Sequence, residues 1–513
     1  MDSAKICITI AIAVYLLAML YIGYLCSKKN KNTDDFYLGG RHLGPIVTAM
    51  SAEASDMSSW LLMGLPGVAY LTGIADAGWT AIGLAIGTYV NWLLVARRIR
   101  LYSSRIGAIT IPDFFSKRYH DDRNVLCGIA AVVILIFFIP YTASGFAACG
   151  KLFGTLFGGS YMISMLISAA VIVFYCTMGG FLAASTTDLI QSIVMTIALI
   201  AVMLFANAKA GGVSAVMANA KSLGGYLSMT ASHDVASGAA KPYGFVTVVS
   251  TMAWGLGYFG MPHILLRFMA IEDERKLTMS RRIASIWVVI SMFVAIAIGV
   301  VGLAVSKTGA IDVLQGSASE TIIVKIADLM SRNGVLAALL AGVVLAGILA
   351  ATMSTSDSQL LAAASSVSQN LMQDFFHIKM SQKATMVVAR CTVILISLIA
   401  MFMARDPNSS VFAIVSFAWA GFGAAFGPVV LAALFWKRSN RQGALAGMIV
   451  GGAMVFIWKY CVRPLGGAWN IYELLPAFLL ACIAIVVVSL LTPAPDRGVT
   501  EVYDEIGQTM KKK

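Results

Sequence analysis

Long apolar runs alternate with short polar ones along most of this chain. Thirteen runs are close to the roughly 20 residues that cross a hydrocarbon core as a helix. They fall at 6–26, 44–70, 74–95, 125–149, 160–178, 186–208, 244–268, 283–305, 334–360, 386–404, 410–435, 442–461 and 471–491. The pattern predicts an all-α polytopic membrane protein. Polar and glycine residues interrupt the runs at 44–70 and 244–268. Two interrupted spans at corresponding places in two halves point to a transporter's binding site.

Composition supports the membrane reading. A chain of 513 residues that is 59% apolar and only 12% charged is not an ordinary soluble protein. Its formal net charge of +12 would suggest nucleic acid in a soluble chain. Here Lys and Arg fall mostly between the apolar runs, so no nucleic-acid partner is expected. With the N-terminus outside, the inward loops 27–43, 97–124, 267–282, 361–385 and 436–441 hold 21 Lys or Arg and the outward segments 10. That bias sets the N-terminus outside and the C-terminus in the cytoplasm. The tail, 492–513, is short and mixed in charge. It is expected to be mobile, with Lys511, Lys512 and Lys513 weakly drawn to anionic lipid. Residues 6–26 read as a full span rather than a cleaved leader.

The chemistry concentrates in a few stretches. SAEASDMSSWLLMGLPG, residues 51–67, holds Glu53 and Asp56 inside an apolar run. An ionised carboxylate in hydrocarbon is costly and faces a bundle interior, a partner or a water-filled path. Ser51, Ser55, Ser58 and Ser59 surround the acids, and Gly64, Pro66 and Gly67 weaken the helix beyond them. A break buried in protein frees carbonyls for a small cation and amides for a carboxylate. The alternative is a helix packed through its serines, with its acids at an aqueous mouth. In TMAWGLGYFGMPHI, residues 251–264, Trp254 and Tyr258 share a helix face and can enclose an aliphatic ring or simply pack together. MSTSDSQL offers Ser354, Thr355, Ser356, Asp357 and Ser358, whose hydroxyls are either hard ligands or bonded back to their own helix. Asp188 lines an inward ion path or caps its helix. Tyr141 follows Pro140, which predicts a distortion.

Other features are structural. IPDFFSKRYH at 111–120 predicts a short interfacial helix with Phe114 and Phe115 toward lipid. Gly443, Gly447 and Gly451 allow close helix contact, within the chain rather than in a dimer. Trp419 is assigned to the core or an interface rather than to ligand contact. The eight cysteines have no CxxC spacing, and the five histidines no zinc spacing. With no nucleotide-binding motif either, neither an enzyme nor a cofactor is indicated.

SDMSSWLLMGLPG, WGLGYFGMPHIL, MSTSDSQL, FAWAGFGAAFGPVVL and FYLGGRHLGP resemble the bacterial proline-transporting members of the sodium:solute symporter family, from about residue 5 to 495. The resemblance implies a five-plus-five inverted-repeat core of the leucine-transporter type. It implies segments 1–43 (first span and cytoplasmic loop), 44–208 (repeat one), 209–243 (extracellular loop), 244–435 (repeat two), 436–491 (two further spans) and 492–513 (cytoplasmic tail). It also implies symport of L-proline with sodium as coupling ion across the bacterial cytoplasmic membrane, among lipid and with no obligate protein partner. By the same resemblance, sodium takes carbonyls of Ala54, Met57 and Ala351 and hydroxyls of Ser354 and Thr355, with Asp56 implicated in sodium dependence. Ser58, Ser59, Tyr141, Trp254, Tyr258 and Pro262 belong to the proline cavity, and Asp188 to a second sodium or the exit path. Two residues depart from the family pattern: Ser59, where glycine is usual, and Met261, where glutamine is.

Overall fold

The computed structural model describes residues 3–28 and 37–511. The rest of the first polar loop, and Lys512 and Lys513 with the lipid attraction expected of them, lie outside the described residues. Every one of the thirteen apolar runs is helical. The chain opens with α1 (Ser3–Ser27), then α2 (Pro45–Ser59) and α3 (Leu65–Thr72), which a wide π turn at Trp60–Gly64 joins. α4 (Ile74–Val90) passes through another π turn into α5 (Ala96–Arg105), so the basic stretch at 97–105 is helix rather than loop. α6 (Ile111–Arg118), α7 (Val125–Phe157), α8 (Tyr161–Gly179) and α9 (Phe181–Lys209) complete the first half. α7 runs through Pro140 without interruption.

Residues 209–243 carry a short helix, α10 (Val213–Lys221), and an antiparallel hairpin of β1 (Ala231–His233) and β2 (Ala240–Pro242). The second half starts with α11 (Phe245–Met252), a 3-10 stretch at Ala253–Gly260, and α12 (Pro262–Ala270). α13 (Leu277–Lys307), α14 (Ile322–Ser331), α15 (Val335–Ser365), α16 (Gln382–Met403) and α17 (Val411–Phe435) follow. α18 (Arg441–Ile457), α19 (Leu474–Leu491) and α20 (Arg497–Lys511) end the described chain. Among the described residues, ten helices are long and apolar enough to cross a membrane. The three other apolar runs are α8 and the two broken segments.

Small residues let the broken segments sit deep in the bundle. α2 packs against α9, α13 and α15, while the 253–260 stretch packs against α4 and α17. A Cβ on Gly257 would enter the indole of Trp419, so only glycine permits that approach. Gly443 and Gly447 meet Ser489 and Ile485 of α19, and Gly451 meets Ala424 of α17. The four-residue glycine spacing therefore serves contacts within the chain.

Two surface expectations are corrected. α6 forms and is capped by Thr110, whose hydroxyl accepts the Asp113 N–H at 3.2 Å. Phe114 and Phe115, however, are fully buried, with ring centroids 5.9 Å from Tyr102 and 5.5 Å from Phe426. The apolar face of α6 found the bundle instead of lipid. The tail is likewise an ordered helix, α20, because Val499, Ile506 and their neighbours recur with helical period. Val499 and Ile506 are buried, and Glu505 and Asp504 pair with Arg105 at 2.8 Å and Lys437 at 2.6 Å.

Away from this basic end, a buried ion pair ties the halves together. Lys151 of α7 reaches Glu320 at 2.7 Å and donates to Ser409 O at 2.7 Å. Glu320 also accepts the Ser410 hydroxyl and the N–H groups of Val411 and Phe412. It thereby satisfies free donors at the start of α17.

Candidate functional site

The first broken segment turns at Ser58, which sits at φ 45° and ψ −172°. A side-chain-bearing residue is strained there, and such strain gathers at functional sites. The Ser58 hydroxyl accepts the Trp60 N–H at 3.0 Å and so stabilises the bend. Just before the bend, Ala54 O meets α15. The Ser354 hydroxyl lies 2.8 Å from Ala54 O and 3.2 Å from Ala351 O, and the Thr355 hydroxyl 3.1 Å from Ala351 O. Four of the five predicted sodium-coordinating residues are thus gathered. The fifth, Met57, is buried in the same turn and borders the neighbouring cavity. Neutral hydroxyl and carbonyl oxygens packed this closely suit a small hard cation.

Beyond the bend lies an aromatic cage. Asp56 takes the Tyr258 hydroxyl on Oδ2 at 2.6 Å and the Tyr141 hydroxyl on its backbone oxygen at 3.1 Å. Its carboxylate therefore belongs to the cage rather than to the oxygen cluster, one residue from Met57. Trp60, Trp254 and Trp419 wall the cavity. Trp254 lies 5.5 Å from the ring of Trp60 and 5.4 Å from Phe412, and its carbonyl accepts the Trp419 indole N–H at 2.7 Å. Trp419 is therefore a cavity wall as well as a core residue. The enclosed space is about 10 Å³, room for about one water.

The remaining predicted residues lie around this cage. Ser59 is buried, and its hydroxyl has no partner among the described residues. Pro262 starts α12 and is buried outside the cavity lining, as is Met261. Asp188 does not join the oxygen cluster. It accepts the Ser51 hydroxyl at 2.6 Å and Arg267 Nη2 at 3.1 Å, with both charged side chains essentially inaccessible. Arg267 also donates to the Ser51 hydroxyl at 3.0 Å, the Ser358 hydroxyl at 2.6 Å and His263 O at 2.9 Å. Ser51 and Ser358 stand one turn from Ala54 and Ser354, so this ion pair lies beside the oxygen cluster.

Three contributors were not singled out from sequence as site residues. Arg267 is a cation within the second broken segment, and that position was its signal. Trp60 follows the bend directly, whereas nothing local marks Phe412. Glu53, already conspicuous as a buried acid, accepts from Thr88 at 3.1 Å and the Trp92 indole at 3.0 Å, tying α2 to the 74–105 helix.

On the other face of Trp254, toward the hairpin, a larger chamber opens. It has a volume of about 320 Å³ and includes Asp76, Tyr243, Phe412, Arg463 and Tyr472 in its lining. Trp254 borders both spaces and is the partition between them.

A model of the sodium:solute symporter family matches residues 36–451. The chain is 40% identical over 507 residues to the osmoregulated proline transporter OpuE of Bacillus subtilis, covering 99% of each. It is 41% identical over 494 residues to the sodium/proline symporter of Salmonella typhimurium, covering 96% of this chain and 94% of that one. Among solved structures, a Na+-coupled sialic acid symporter in a substrate-bound outward-open state aligns with a TM-score of 0.76. The alignment covers 96% of this chain and 99% of that one at 17% identity, a likeness of fold.

Proposed function

The chain belongs to the sodium:solute symporter family, and from that premise we propose that it carries L-proline into the bacterial cell with sodium by alternating access. The observation that carries this reading is the junction of a strained helix break with the hydroxyls of α15, directly beside an aromatic cage. Relatives about 40% identical along nearly the whole chain are named for proline transport. No enzyme activity and no cofactor belong to this reading.

All thirteen apolar runs span the membrane, with the N-terminus outside and the tail inside. The basic loops around 97–124 and 267–282 support that orientation. Residues 44–208 and 244–435 are inverted five-helix repeats. Each starts with a broken segment, and each last helix packs on it: α9 on α2, and α17 on the 253–260 stretch. Residues 436–491 add two spans, and 209–243 faces outward.

Sodium binds between carbonyls of Ala54, Met57 and Ala351 and the hydroxyls of Ser354 and Thr355, drawing α2 and α15 together. Asp56, in the same turn, places a negative charge where ion and substrate sites meet. Proline is zwitterionic. Its carboxylate meets the amides and hydroxyls at Ser58 and Ser59, and its ring lies among Tyr141, Trp254 and Tyr258, with Pro262 starting the helix below. The ion thus favours the conformation that holds proline, and by reciprocity proline tightens the ion, with a coupling energy typically about 1–3 kcal/mol. Opening of the Asp188–Arg267 pair leads both to the cytoplasm, with Asp188 then free to receive the departing cation. Each net charge entering down 100 mV adds about 2.3 kcal/mol of driving force.

The test is uptake of labelled proline into reconstituted vesicles under separately imposed sodium, proton and electrical gradients. Accumulation driven by sodium is expected. Uptake that no sodium gradient can energise would overturn the reading, and stronger competition by another small solute would reassign the substrate.

A further inference from the structure

A concave groove runs along the bundle surface between α9 and α13. It has a volume of about 360 Å³, with Leu199 and Ile200 of α9 and Ile286, Ile290 and Val294 of α13 in its lining. Met50 of α2 also borders it, so the groove reaches the first broken segment. Its few polar groups are already engaged. The Trp287 indole N–H donates to the Thr196 hydroxyl at 2.9 Å, and the Ser291 hydroxyl donates to Val288 O at 3.2 Å. Carbon is left to face whatever fills the space. Ile200, Ile286 and Ile290 are exposed, on helices apolar enough to cross a membrane, so the groove opens toward lipid.

Its length and its charged end say what fits. The rise from Ile283 to Val294 is about 16 Å at about 1.5 Å per residue, roughly half of a hydrocarbon core about 30 Å thick. That is the reach of one leaflet. Arg282 stands one turn before Ile286, on the same face of α13 and at its basic end. It is exposed and takes part in no hydrogen bond or ion pair among the described residues. A second copy of the chain, related by a two-fold axis along the membrane normal, would bring two arginines to the same level. A phosphate answers the guanidinium with charge-assisted hydrogen bonds, and an acyl chain attached to it lies along the apolar groove.

We propose that this groove binds one anionic phospholipid of the leaflet at the basic end, with its phosphate on Arg282 and an acyl chain between α9 and α13. The chain abuts Met50, on the helix that also carries Ala54 and Ser58. The lipid therefore touches the broken segment from the membrane side. The proposal is independent of which solute is carried.

Bromine on a lipid tail quenches tryptophan on contact, and Trp287 lines the groove. The test places the full-length protein in nanodiscs of mixed phosphatidylcholine and phosphatidylglycerol, with brominated tails on one lipid or the other. The chain has nine tryptophans, so the Trp287 signal is the difference between wild type and Trp287→Phe. Brominated phosphatidylglycerol is expected to quench that signal at about fivefold lower mole fraction than brominated phosphatidylcholine, the preference one arginine near the surface gives. Arg282→Gln, a change at an exposed position, should abolish the preference, and Arg282→Lys should keep most of it. Native mass spectrometry needs no tryptophan variant. It should find one phosphatidylglycerol retained per wild-type chain and its loss in Arg282→Gln. Equal quenching by the two lipids would mean ordinary boundary lipid and would overturn the site. So would a Trp287 signal that neither lipid quenches, or a preference that survives in Arg282→Gln.

Discussion

Replacing Ser354 by alanine isolates the ion bridge. The Ser354 hydroxyl is 2.8 Å from Ala54 O across the helix break and 3.2 Å from Ala351 O on its own helix. Alanine is the best helix former, so α15 is not weakened by the change. In the ion-free protein the loss is one neutral hydrogen bond, about 1 kcal/mol. With sodium bound, an oxygen facing a charge is lost, and such contacts contribute about 1.5–3 kcal/mol. At 1.4 kcal/mol per decade, that is about a 10- to 150-fold weaker sodium affinity. The assay is proline uptake at saturating proline and varied sodium, normalised to correctly inserted protein. The half-activating sodium concentration should rise by at least about tenfold, with uptake recovered at high sodium. An unchanged half-activating concentration would refute the bridge, and proline binding lost at every sodium concentration would move Ser354 to the substrate site.

Three further outcomes follow from the geometry. Trp254→Ala removes the partition and one wall of the cage and should weaken proline binding by about tenfold or more; wild-type affinity in the inserted variant would exclude Trp254 as a substrate wall. Lys151→Met leaves Glu320 as an unpaired charge among groups no more than 6% exposed and should cost about 3–5 kcal/mol of stability. Thermal inactivation in detergent reads this loss, and the double variant with Glu320→Gln should recover much of it. Ile506→Asp puts a charge on the buried face of α20 and should release the tail to cleavage after Arg497, with an unchanged proteolysis rate arguing that the tail is held by its surface ion pairs alone.

The long helices were readable because lipid and a packed bundle demand the same apolar period. The two broken segments were readable as well, though for partly different reasons than their residues suggest. Gly255, Gly257 and Gly260 do mark the 3-10 stretch. In the first segment the bend comes at Ser58, ahead of Gly64, Pro66 and Gly67. Those residues instead form a π turn, start α3 and let the backbone at Gly67 approach Glu320. Contacts between distant parts of the chain were hidden. Arg267 meets Asp188 across 79 positions, and no local pattern announces such a pairing. The apolar face of α6 was misread, and that of α20 was missed when the tail was expected to be mobile. An amphipathic helix of either kind satisfies a membrane surface or a protein groove equally well, and only the tertiary structure decides between them.

The Lys151–Glu320 pair constrains how the molecule can move. It joins α7, the turn before α14 and the start of α17, and the backbone of α3 rests against Glu320 at Gly67. Elements from both halves of the chain therefore converge on one dry, hydrogen-bonded knot. Relative rotation of the halves has either to swing about that point as an axle or to tear it apart. The Asp188–Arg267 pair is then a second buried clasp between the halves that any such swing has to strain or open.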